Sequence, residues 1–187
     1  QMCIRDSYFL GCFMSESNGS TIFSSAGLQG TDATGNAASF TPTLAQGIVM
    51  GGTDYSGIAG VATITFTQQG QPTITLSFTA SGSPAPSASG NNINVRVVAD
   101  IEQLIDRIIL AIAGTTSSGN IAYGSSTGIP NITGTKVDLG SGNFGIKLTY
   151  GTVGTVGNLA KFKASHANLL GSSSAINTDI PLAGGLG

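Results

Sequence analysis

Charge is scarce in this sequence. Asp, Glu, Lys and Arg make up 9% of its 187 residues, against roughly 25% in an ordinary soluble domain. The seven Lys and Arg are scattered and the formal net charge is -2. No basic stripe is there to neutralise phosphates, so nucleic acid is not expected as a partner. No apolar run approaches the ~20 residues of a membrane span; Tyr8 to Met14 is apolar but far too short. Tryptophan is absent, and His166 is the one histidine. The two cysteines, Cys3 and Cys12, have no metal-site spacing and build no disulfide framework.

Glycine and small hydroxyl residues fill the space instead. The 28 glycines and the Ser/Thr-rich spacers suit a turn-rich β protein. Solubility then rests on Ser, Thr, Asn and Gln rather than on charge. Such a composition suits proteins packed in assemblies or working outside cells. The length corresponds to about one domain, or one plus part of another.

The first seven residues, Gln1-Met2-Cys3-Ile4-Arg5-Asp6-Ser7, resemble a translated library adapter, the end of a transposase adapter read in frame. Residues 1–14 are therefore expected to be adapter scar and a truncated start, not a domain, and residues 1–7 stay out of the fold reasoning. Cys12 is then the single cysteine of the native frame.

Period-two alternation is clearest in Val61 to Thr67 and Thr73 to Thr79. Ile64 and Phe66 share one face, as do Ile74, Leu76 and Phe78, with Thr and Ser on the other. Gln68 to Pro72 is the expected hairpin loop. Ile93 to Val98 reads as another strand after a Ser/Pro/Gly spacer. Phe144 to Tyr150 alternates again, and Leu159 to Ser165 places Ala160, Phe162 and Ala164 inward with Lys161 and Lys163 outward. Ser39 to Thr41 and Gly47 to Met50 are possible short strands, followed by a turn at Gly51-Gly52.

One helix is expected, over about residues 100–113. Ile101, Leu104, Ile105, Ile108 and Ile112 fall on one face at helical spacing. Asp100 can cap its start, and Gly114 can supply a left-handed end. Burying five such side chains contributes roughly 7–15 kcal/mol before entropy is counted. The sheet face carrying Ile64, Phe66, Leu76 and Phe78 is the expected seat. The fold class is thus α+β: a largely antiparallel sheet with one amphipathic helix on one face, in the order β-β-β-α-β-β-β.

A weak internal repeat sets Gly35-Asn36-Ala37-Ala38-Ser39-Phe40 against Gly157-Asn158-Leu159-Ala160-Lys161-Phe162. On this basis residues 15–54 are expected to be the C-terminal part of a preceding repeat or a linker, and residues 55–187 one α+β structural module.

No catalytic constellation assembles from these residues. Ser165 and His166 are sequence neighbours, which rarely form a dyad, and no Gly-x-Ser-x-Gly elbow occurs. Glu102 and Asp106, four apart on an exposed helix face, read as a solvated and mildly repulsive pair. The Gly151, Gly154, Gly157 spacing lacks a P-loop lysine and precedes a strand. Asp32, Asp54 and Asp179 are isolated, with no Asp-x-Asp-x-Asp run for calcium. No enzyme activity, cofactor, metal or small-molecule substrate is expected. Asn18-Gly19-Ser20 and Asn131-Ile132-Thr133 match a glycosylation sequon.

Thr152-Val153-Gly154-Thr155-Val156-Gly157-Asn158, after the helix ending Ala-Ile-Ala-Gly and the strand with Lys147-Leu148-Thr149, resembles a Thr-x-Gly-x-x-Gly-Asn turn of tailed-phage virion proteins. It is similar to tail sheath and related tail or baseplate-decorating proteins. The resemblance covers about residues 58–187 and departs from sheath in an insert, Ser125 to Gly134, and in lacking the larger sheath core with its terminal arms. It implies a virion structural module in which Gly154, Gly157 and Asn158 fix a turn. The partners would be copies of the chain or other virion proteins, joined by sheet edges and apolar loops. The competing expectation is a cell-surface or secreted adhesin-type repeat, with Tyr55 and Tyr123 the only loop-like tyrosines for a sugar.

Overall fold

The computed structural model describes residues 35–43, 47–51, 55–82, 85–116, 119–170 and 176–186. Among them the chain is α+β and β-rich, with one α-helix and ten strands in two sheets. Five strands precede the helix: β1 (Ala37–Phe40), β2 (Val49–Met50), β3 (Thr63–Thr67), β4 (Ile74–Thr79) and β5 (Asn92–Arg96). The helix is α1 (Ile101–Ala113). After it come β6 (Ile121–Tyr123), β7 (Ile132–Gly140), β8 (Asn143–Val153), β9 (Lys161–Ala164) and β10 (Ile180–Pro181).

The six-stranded sheet runs β10-β9-β3-β4-β5-β6. The alternation in β3 and β4 does what the sequence leads one to expect. Ile64 pairs with Leu76 and Phe66 with Ile74, all buried, while Thr63, Thr65, Thr75 and Ser77 form the outer face. All neighbours in this sheet are antiparallel except β4 and β5, which run parallel. The second sheet is built around β8. It pairs with β7 on one side, and with β1 and β2 on the other.

The two sheets are laced together by the segment after β10. The Leu182 N–H donates to the Ala160 carbonyl at 2.9 Å, which holds the segment to the start of β9. One residue later Ala183 and Ser39 exchange two backbone hydrogen bonds, at 3.0 and 2.8 Å. The Leu186 N–H then reaches the Asn36 carbonyl at 3.0 Å. This closing strap thus leaves β9 of one sheet and joins β1 of the other. A second link, between Ile48 and Leu170, lies alongside β2.

Both inner faces feed one core with the helix. Phe40 of β1 meets Phe162 of β9 edge to face at 5.2 Å, and Phe66 lies 6.4 Å from Phe162. Leu104, Ile105, Ile108, Ala111 and Ile112 are buried, and Ile101 is half-buried. Asp100 caps the helix by accepting from the Gln103 N–H at 3.0 Å. Gly114 ends it at φ 75, with its N–H on the last carbonyls.

One expectation needs revising. The helix makes its closest approach to β7, β8 and β5, not to the β3–β4 face. Gly134 is the reason: a Cβ there would meet Ile146 Cγ2 at 3.1 Å and Ile109 and Ile112 at 3.5 Å. Among the described residues the strands fall into two sheets, with five of them after the helix. Residues on both sides of position 54 share the second sheet: β1 and β2 flank β8, and Ala38, Ile48 and Met50 enter the common core. Residues 1–14, with both cysteines, and Gly52 lie outside the described residues.

Candidate functional site

One end of the molecule concentrates the features that a binding surface needs. It is built from the end of β8, the turn that follows, the entry to β1 and the end of the closing strap. Gly154, at φ 110, turns the chain out of β8, and its N–H donates to the Asn36 carbonyl at 3.1 Å. Thr155–Leu159 forms one 3-10 turn that leads into β9.

Gly157 is buried there without a side chain. A Cβ would lie 2.7 Å from Ala38 Cβ and 2.8 Å from Tyr150 Cβ. Asn158 faces the strap. Its Nδ2 donates to the Gly185 carbonyl at 3.1 Å and its Oδ1 accepts the Gly185 N–H at 2.9 Å. A side chain thereby completes both polar groups of one strap residue, in the manner of a sheet pairing. The three turn residues named from the sequence are thus placed together, and what they fix is the junction between β1, β8 and the strap.

Around this junction Val153, Val156, Leu159 and Leu186 each stand more than half exposed. They are four of the five large exposed hydrophobics among the described residues; the fifth is Val61. A single exposed aliphatic is ordinary, whereas a group on one end marks a contact surface. No charged residue occurs between Thr149 and Ala160 or between Ile180 and Leu186. The sequence reading missed this surface, because Val153, Val156 and Leu159 looked like turn and strand residues. The only available signal was Val153 and Val156 inside a stretch otherwise of Gly, Thr and Asn.

The titratable side chains serve the fold. Ser165 Oγ accepts from the Thr63 N–H at 2.8 Å, while His166 Nδ1 accepts from the Asn168 N–H at 3.2 Å, so each is engaged separately. Lys136 reaches from β7 to Asp106 at 3.1 Å, and that partner raises the lysine's pKa. The carboxylate expected to repel Glu102 is therefore paired. Tyr55 is buried and donates to the Gly51 carbonyl at 2.8 Å; burial raises its pKa. Tyr123 is half-buried and donates to the Thr115 carbonyl at 2.8 Å, and burial raises its pKa too. Buried Tyr55 therefore offers no free ring platform. Gly151 lies in β8, so the three-glycine spacing forms no phosphate cradle. Asn131 is exposed in a turn at φ 56. Among the described residues no three His, Cys, Asp or Glu converge as a metal site.

Asp179 anchors the approach to the strap through Lys161, at 2.5 Å, and this hydrogen bond lowers its pKa below the ordinary 3.8. A depressed carboxylate contributes stability that is present above the unfolded pKa and is lost as pH falls through the folded one. Both partners are well exposed, so the pair contributes under about 1 kcal/mol. Asp179→Asn is expected to lower the urea midpoint slightly at pH 7. The difference from wild type should vanish once the pH is well below 3.8.

Comparison with protein-family models, with curated proteins and with solved structures finds no match.

Proposed function

We propose that the chain is a virion structural protein, a tail component that works by self-assembly rather than by catalysis. The observation that carries this reading is the uncharged aliphatic end face of Val153, Val156, Leu159 and Leu186. The turn resembling that of phage tail proteins is the same turn that builds this face. A composition with 9% charged residues adds to the case, since such a surface has little to keep copies apart.

Burying four half-exposed aliphatic side chains contributes about 3–6 kcal/mol. Association itself costs at least about 4 kcal/mol, so one such contact is weak alone. Repetition along an assembly makes it useful, because each further contact is made by chains already held near one another. The partners in this reading are copies of the chain or other virion proteins.

Sedimentation and negative-stain imaging test it. Wild type should form ordered oligomers at about 100 μM, a concentration at which weak contacts fill. The double variant Val156→Asp/Leu159→Asp should weaken association by at least about tenfold, the effect of ~1.4 kcal/mol. Its melting temperature should stay close to wild type, because both side chains already face water. A wild-type chain that remains monomeric throughout would defeat the proposal.

A further inference from the structure

We infer that the outer edge of β7 is a contact between two copies of this chain, which pair their edges antiparallel about a two-fold axis at Val137. The inference rests on the self-assembly reading and adds a second contact to the end face described above.

Among the described residues β7 is the long open edge. It spans nine residues and has a strand, β8, on one side only. The outer strands of the six-stranded sheet, β10 and β6, span two and three residues. Across β8, β1 is bridged to Ala183, and Ile48 beside β2 to Leu170. The backbone directions in β7 follow from β8. The Ile146 N–H donates to the Ile48 carbonyl at 3.0 Å, so even-numbered residues of β8 face β2. The Gly151 N–H donates to the Asn131 carbonyl at 2.6 Å, so odd-numbered ones face β7. By the register, Thr133, Thr135 and Val137 bond to β8, while Gly134, Lys136 and Asp138 turn their N–H and C=O groups outward. Lys136 and Asp138 are exposed and Gly134 is half-buried. A row of this kind is a template for a further strand.

Charge chooses the occupant. Two identical strands paired about a two-fold axis have their register set by the residue on that axis. With Lys136 or Asp138 on the axis, like charges stand opposite one another. With Val137 on the axis, Lys136 stands opposite Asp138 of the second copy, and the symmetry repeats the pair. In that register the Lys136 and Asp138 backbones exchange ladder hydrogen bonds. Val137 meets Val137 of the second copy at the closer, non-bonded spacing. Leu139, half-buried in the single chain like Val137, lies opposite Thr135 of the second copy.

The side chains have capacity for these partners. Lys136 bonds Asp106 of its own helix, and an ammonium carries three donors. Asp138 accepts the Gly140 N–H through Oδ1 at 2.8 Å, which leaves Oδ2 for the lysine. The same bond occupies the Gly140 N–H, and Gly140 turns at φ 81, so the pairing stops with the strand. A two-fold contact closes on itself; dimers made this way extend further only through their end faces.

Exchanging charges tests the register. All chains carry Val156→Asp/Leu159→Asp, which weakens the end-face contact and leaves β7 unaltered. Sedimentation velocity at about 100 μM should then show dimers and nothing larger. Adding Asp138→Lys should weaken dimerisation by at least about tenfold, because lysine then faces lysine on both sides of the axis. Adding Lys136→Asp instead should do the same, with acid facing acid. Mixed in equal amounts, these two variants should recover the dimer, since each lysine of one chain meets an acid of the other. Thermal melts of each variant alone should stay close to the background, because both positions are exposed.

A dimer that ignores both substitutions would overturn the β7 pairing, as would two folded variants that stay monomeric when mixed. A monomeric Val156→Asp/Leu159→Asp chain beside an oligomeric wild type would also overturn it and leave the self-assembly reading standing. A wild-type chain that is monomeric at the same concentration would overturn both.

Discussion

Replacing Gly128 by alanine is expected to cost about 2–5 kcal/mol of folding stability. Two separate strains add. Gly128 sits at φ 88, where an L side chain costs roughly 1–2 kcal/mol. A Cβ there would also lie 2.6 Å from Gly114 N, 2.7 Å from Gly114 Cα and 2.8 Å from the Ile112 carbonyl oxygen. Those are backbone atoms that cannot rotate away, and such overpacking adds about 1–3 kcal/mol. The site matters because the Ile129 N–H reaches the Ile112 carbonyl at 2.8 Å and so docks the approach to β7 on the end of α1. Gly142→Ala is the control: it has φ 73 but nothing within 4 Å of the added carbon. It should lose only the conformational part, about 1–2 kcal/mol. Urea midpoints of the two variants compare them directly, and equal losses would remove the close-packing account.

Phe162→Ala should cost about 3–5 kcal/mol, the range for emptying a buried aromatic site. Among the described residues Phe162 is one of the two largest fully buried side chains, and it touches both sheets, with Phe40 on one side and Phe66 on the other. It is also the partner of Ile180 across the strap. Loss of the ring should therefore loosen the strap before it unfolds the sheet. Hydrogen exchange at Ala183 and Leu186 should speed up more than exchange at Ile64 and Phe66. Uniform acceleration across both sets would show that the strap is no weaker than the sheet.

Much of the six-stranded sheet was legible because one of its faces is wet. Thr and Ser between Ile64, Phe66, Leu76 and Phe78 mark the period directly. The helix was legible for the same reason, with capping Asp100 at its start and terminating Gly114 at its end. The second sheet was legible only in part: the alternation of Phe144 to Tyr150 marks β8, but β7 shows no such pattern. β7 spans nine residues, yet among them only Ile132 is buried, and Gly134 stands where the helix presses closest. A missing side chain leaves no period to read, so the start of β7 looked like part of the insert from Ser125 to Gly134.

Pairing order was hidden as well. Nothing in the alternation of β4 and β5 says that they run parallel, and β1 and β2 are too short to show a period. The Gly-Asn-x-Ala-x-Phe similarity between residues 35–40 and 157–162 pointed to separate units. In the structure the two segments belong to one core, with Phe40 against Phe162. As for the candidate site, its turn residues were named from the sequence. Its aliphatic face was not, because exposure is a property of the packed chain.

The lacing of the two sheets also governs when this protein can fold. β1 is held by β8, more than a hundred residues later, and by the strap at Ala183. β3 is held on one side by β4 but on the other by β9, nearly a hundred residues on. Those partners are made long after β1 and β3. The β3–β4 hairpin and α1 can form early, but β1 must wait for β8, and the open edge of β3 must wait for β9. Closing such distant contacts makes folding slow. During that delay the strand edges that later meet the strap are open to any other nascent copy, so crowded polysomes are where stray pairing is to be looked for.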